Sequence, residues 1–163
     1  MTFFYLKAIL FYSVNLLDFE IMDFNSLNYQ IIDHTADLGI IVEGTDEKNL
    51  FIRAAQAMAD LMVKGDISTK TVIKDVSLQG EDFPDLMVKW LGEILYLFNG
   101  EKLLVHSIKI KSISPITLKS TLTLSSFEPE HHQVIREIKA VTYHQISVDK
   151  TEDGWQARVI FDI

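Results

Sequence analysis

The chain has 163 residues, a length that fits one domain on the usual scale of roughly 150 residues. Its 15 Lys and Arg against 23 Asp and Glu leave a formal charge of −8, which argues against nucleic-acid binding through the overall field, because phosphate contacts need clustered cations. Composition is that of an ordered globular protein, at 48 % hydrophobic and 23 % charged, and zero cysteines exclude a disulfide scaffold, a thiolate nucleophile, an iron–sulfur site and a Cys-ligated zinc. A cytoplasmic location is the simplest expectation.

Residues 1–17 (MTFFYLKAILFYSVNLL) are strongly apolar, yet their longest uncharged run, Ala8 to Leu17, falls short of the about 20 residues a spanning helix needs. Lys7 lies inside that stretch, and Asp18, Phe19 and Glu20 follow where a signal peptide needs small residues. The expectation is therefore no membrane partner, a start at Met22 with residues 1–21 as an upstream extension of the reading frame, and a domain over residues 28–163. Tyr29–Asp33 and Leu38–Glu43 read as short strands. From Asp46 to Met62 the period changes: Leu50, Ala54, Ala57, Met58, Leu61 and Met62 recur at helical spacing, with Thr45 as the expected N-cap and Gly65 closing the segment. Thr71–Leu78 reads as a strand. Asp82 should cap a second helix with Pro84 in its first turn, an apolar face from Leu86 to Phe98, and an end at Asn99-Gly100. Beyond this the helical period disappears, and Leu103–Ile113, Ile116–Ser125, Lys139–Asp149 and Trp155–Ile163 read as strands, with a polar loop at Phe127–Gln133 and a hairpin at Thr151–Gly154. The pattern specifies an α+β single domain, two helices packed on a largely antiparallel β-sheet. A doubly wound parallel sheet would need strands and helices to alternate throughout.

No phosphate-binding loop, dinucleotide fingerprint, zinc-protease motif or serine elbow occurs. Three polar features remain. Asp33-His34-Thr35-Ala36-Asp37 puts two carboxylates around an imidazole at a strand junction; it reads either as an Asx-type turn or as a site. At the C-terminus, strand alternation puts Gln156, Arg158, Ile160 and Asp162 on one face, and the Asp162 side chain neighbours the terminal carboxylate of Ile163. Oxygen clusters of that kind suit hard cations, whereas a solvated chain end is the plainer reading. Glu128-Pro129-Glu130-His131-His132 is a run of potential ligands whose adjacent histidines point to opposite sides, which favours an exposed loop.

Taken together, three segments resemble the archease family: Tyr29-Gln30-Ile31-Ile32-Asp33-His34-Thr35-Ala36-Asp37-Leu38-Gly39 its first signature, Lys139-Ala140-Val141-Thr142-Tyr143-His144 its second, and Val159-Ile160-Phe161-Asp162-Ile163 its characteristic end. The resemblance implies a protein that is not itself an enzyme but a cofactor of the tRNA-splicing RNA ligase, which joins RNA ends through a guanylylated histidine. It would promote ligase guanylylation and multiple turnover in the presence of GTP and Mn²⁺, touching RNA only indirectly. It also implies an acidic divalent-metal pocket, most simply for Ca²⁺ with Mg²⁺ or Mn²⁺ as alternatives, carried over to Asp37, Asp162 and Ile163. Lys139 matches a functional lysine, and Asp33 and His34 fall in supporting positions. Physically, such a carboxylate cluster is costly unless a cation relieves its repulsion. Two other classes stay open: a stand-alone metal-dependent phosphohydrolase using Asp37 and Asp162, and a general chaperone-like adaptor with no metal requirement.

Overall fold

A computed structural model describes residues 20–21, 28–33, 37–65 and 70–163. The expectation of an N-terminal extension falls almost wholly outside these residues; of 1–27 only strand β1 (Glu20–Ile21) is described, paired antiparallel with Ser107 and Ile108. His34, in the first polar motif, also lies outside them, as does the side chain of Asp33.

The following elements run in order: β2 (Tyr29–Asp33), β3 (Asp37–Gly44), α1 (Glu47–Met62), β4 (Val63–Gly65), β5 (Val72–Gln79), α2 (Phe83–Asn99), β6 (Leu103–Ser114), β7 (Thr117–Ser126), β8 (His132–Val134), β9 (Ala140–Val141), β10 (Ser147–Lys150) and β11 (Trp155–Asp162). The class is the expected α+β, but the strands divide between two principal sheets, with β4–β8 as a small separate pair. One sheet has the order β1-β6-β7-β5; the other runs β10-β11-β3-β2, with β9 also on β11, and every described pairing is antiparallel.

The helices lie between these sheets. Helix α1 packs on β3 and β11 of one and β6 of the other, while α2 meets β6 and β5 on one side and β9 and β10 on the opposite side. That placement accounts for their sequences, since a helix enclosed by two layers must be apolar around most of its circumference. Accordingly α2 buries Leu86, Met87, Trp90, Leu91, Ile94 and Leu97 at successive angles around its axis. Trp90 is fully buried, and its indole N–H is satisfied by the Phe51 carbonyl of α1 at 2.9 Å, so the largest core side chain also fixes the helix pair. From the five-stranded sheet, Leu38, Ile40, Val42, Ala157, Val159 and Phe161 all face this core with no exposure.

Three expectations need correction. Asp46, not Thr45, caps α1: its carboxylate accepts from the Asn49 N–H at 2.8 Å, a bond open to a side chain three residues ahead of its donor. The helical period ends at Met62 as expected, but Gly65 does not close the helix: Val63 already turns extended to begin β4. The run Lys139–Asp149 is one strand interrupted. From Thr142, whose N–H reaches the Ile160 carbonyl, to Ser147, opposite Arg158, β11 moves by two residues while its neighbour moves by five. The surplus forms an excursion in which Gln145 takes a left-handed φ of 51°. Among the described residues no helix is long and apolar enough to cross a membrane.

Candidate functional site

The β3–β11 ladder runs from Trp155 opposite Gly44 to Asp162 opposite Asp37. Strand register therefore makes the two carboxylates direct cross-strand neighbours, a placement that sets Cβ atoms about 4.5–5.5 Å apart and is repulsive for like charges. Close packing just inside holds that register. A Cβ on Gly39 would stand 2.7 Å from the Ile160 Cδ1 of its cross-strand partner, so a larger residue there would displace that buried side chain next to the pair. Asp37 is half-buried and Asp162 exposed, and among the described residues neither has an ion-pair partner.

The other edge of β11 brings in the second signature. Lys139 donates its backbone N–H to the Asp162 carbonyl at 2.8 Å and its Nζ to the Ile163 oxygen at 3.1 Å, while Ala140 stands opposite Asp162. Four of the six residues singled out from the sequence, Asp37, Lys139, Asp162 and Ile163, thus meet at one end of the sheet. Asp33 ends β2 opposite Leu38, one residue along β3 from Asp37.

Further hydrogen bonds hold the Lys139 segment. The Thr142 N–H and hydroxyl both reach the Ile160 carbonyl at 3.0 Å. Asn99, the last residue of α2, donates its side-chain amide to the Ile138 carbonyl at 3.0 Å, and Ile138 itself is fully buried. Tyr143, in the excursion, donates its hydroxyl to Asp85 Oδ1 in the first turn of α2 at 2.7 Å. Donation from Lys89, from Tyr143 and from the Glu81 backbone holds the Asp85 carboxyl down at about 2, and the same carboxylate pushes the Tyr143 phenol up. These partners are 39 and 58 residues apart in sequence, which is why local spacing gave no signal.

Elsewhere, the histidine pair divides between exposed and buried, which corrects the expected exposed loop. His131 is exposed, but His132 is buried against Phe127 at 5.5 Å between ring centroids, with its Nδ1 at the Glu128 backbone. Ser125 and His106 touch at 2.7 Å, yet Ser125 is 1 % exposed, so this contact is packing and not a nucleophile open to substrate.

Among the described residues no three His, Cys, Asp or Glu side chains are grouped to hold a metal. The donors at the sheet end are instead two carboxylates with Ile163 oxygen beside them, all hard oxygen ligands, and two unpaired like charges held in register. That chemistry fits a divalent hard cation completed by water or by a partner's groups.

The archease protein family (MTH1598/TM1083) matches residues 29–163. The chain is 35 % identical over 140 residues to the protein archease of Methanosarcina acetivorans, covering 83 % of this chain and 95 % of that one. It is 38 % identical over 138 residues to the protein archease of Thermoplasma volcanium, covering 84 % and 100 %. The solution structure of Methanobacterium thermoautotrophicum protein 1598 superposes with a TM-score of 0.60 at 26 % identity, covering 83 % of this chain and 98 % of that one. A Thermotoga maritima crystal structure, described as an archease and possible chaperone, shares the fold with a TM-score of 0.54 at 19 % identity, over 82 % and 96 % of the two chains.

Proposed function

The chain belongs to the archease family, and from that premise we propose that it is a non-catalytic cofactor of the tRNA-splicing RNA ligase, promoting guanylylation of the ligase and its repeated turnover. The observation that carries this reading is the in-register opposition of Asp37 and Asp162 with Lys139 and Ile163 beside them. In this reading the groups act by electrostatic positioning at another protein's active site.

In this reading Asp37, Asp162 and the main-chain oxygen of Ile163 hold a divalent cation, Ca²⁺ by the family resemblance. Bound there, the cation would neutralise the carboxylates and offer positive charge toward nucleotide phosphates. The chain's own contribution is to keep the carboxylates in register, to exclude a bulkier residue at Gly39, and to hold the Lys139 ammonium on the Ile163 oxygen. Asp33 and His34 serve as supporting residues of the same end. The protein acts in the cytoplasm, where its partner uses GTP and Mn²⁺.

The test is RNA joining with the host ligase limiting, with GTP and Mn²⁺, in the presence of wild type, Asp37→Ala or Asp162→Ala. Wild type should convert single turnover into many turnovers, and each variant should lose at least about tenfold, the scale of one charged contact. Full activation by both variants would remove the acidic pair from the mechanism. Phosphate release from a generic phosphoester by the protein alone would point instead to a hydrolase.

A further inference from the structure

The second signature bears Lys139 just ahead of β9, a strand of two residues, too short to hold its own position. Beside its bonds to β11 on one side, it is held by α2 on the other. Asn99 at the helix's last residue grips the Ile138 carbonyl, one residue before Lys139. Asp85 in its first turn grips the Tyr143 hydroxyl, four residues after Lys139. The two grips match in length. Asp85 to Asn99 spans about 21 Å of helix, and Ile138 to Tyr143 spans about 17 Å of extended chain, which the tyrosine side chain extends to the same reach. The segment therefore lies along α2 with opposite chain direction, clamped at both ends.

From this geometry we infer that α2 is a two-point brace for the activating lysine, and that Asn99, Asp85 and Tyr143 are positioning residues of the site. The excursion after Thr142 is the device that makes the second point available. An uninterrupted β9–β10 strand would keep Tyr143 in the ladder beside β11, and the surplus residues release it toward the helix. Once there, the phenol donates to a carboxylate already fixed by Lys89 at 2.8 Å and by the Glu81 backbone at 2.8 Å, so the anchor is itself preorganised. Tyr143 is 60 % exposed and none of the three residues touches the acidic pair, so their action passes through Lys139.

This inference rests on the ligase-cofactor reading for its activity, and the experiment separates the two. Wild type, Tyr143→Phe, Asn99→Ala, Asp85→Ala and the double variant Tyr143→Phe/Asp85→Ala would be compared by amide hydrogen exchange and by multiple-turnover joining. Tyr143→Phe should speed exchange at the Lys139 and Thr142 amides by roughly three- to tenfold, with the β3–β11 ladder unchanged. Activation should fall by a similar factor, and the double variant should add little beyond Asp85→Ala alone, since the two substitutions share the Tyr143–Asp85 contact. Unchanged exchange in Tyr143→Phe and Asn99→Ala overturns the brace. Faster exchange with full activation also overturns it, because the strand would then be held for stability alone. If wild type itself fails to activate, the proposed function falls, and the exchange result by itself still decides whether the brace exists.

Discussion

His106 sits where β6 carries an extra residue between Val105 and Ser107, and its ring is half-buried against Ser125. Burial disfavours the imidazolium and nearby His132 adds to this, so its pKa lies below the ordinary 6.5. The unfolded chain then takes up a proton before the folded one does. The resulting contribution to stability is complete above the unfolded pKa and is lost as pH falls through it toward the lower folded value. The melting temperature of wild type should accordingly drop more between pH 7.5 and pH 5 than that of His106→Gln, which keeps a donor near Ser125. Equal drops in the two proteins would assign the titration to another group. Residues differ in how far the sequence reveals them. Lys139, Asp162 and Ile163 stand out because they fall in compact signatures, whereas the burial of His106 and His132 depends on strands that a local pattern does not pair.

Helix boundaries show why element ends were harder to read than element types. Thr45 and Asp46 are both competent caps by residue type, and only the backbone decides: Asp46 is the residue in extended geometry whose carboxylate lies three residues ahead of the Asn49 N–H. Asp46→Ala should therefore cost about 1 kcal/mol, and Thr45→Ala only a few tenths, as read from urea unfolding; a larger loss at Thr45 would reverse the assignment. Both helices were legible because their apolar residues recur over four turns. The strand Lys139–Asp149 was legible as β-type, but its excursion was not, since nothing in Tyr143-His144-Gln145-Ile146 forces a break. The break becomes visible only when β11 supplies the register.

On the scale of the whole molecule, the acidic pair stands on the five-stranded sheet and the Lys139 segment lies between that sheet and α2, while the four-stranded sheet packs on the helices. The sequence could not show this division, because strands of both sheets share one alternation and one antiparallel habit. It has a consequence for how stability and activity separate. Leu122 on β7 is fully buried, and Leu122→Ala should cost about 2–5 kcal/mol through lost burial and a cavity. Against a total of roughly 5–15 kcal/mol the domain stays folded at 25 °C. Val159 on β11 is also fully buried, but it stands opposite Ile40 inside the ladder that sets the carboxylate register. Its truncation to Ala removes less volume and should cost less stability, yet it loosens the ladder three residues from Asp162. The expected order is therefore opposite for the two readouts: Leu122→Ala lowers the melting temperature more, and Val159→Ala lowers ligase activation at 25 °C more. If activation instead follows melting temperature across both variants while each remains folded, the two sheets act as one unit through the helix layer, and the site is not local to the sheet that bears it.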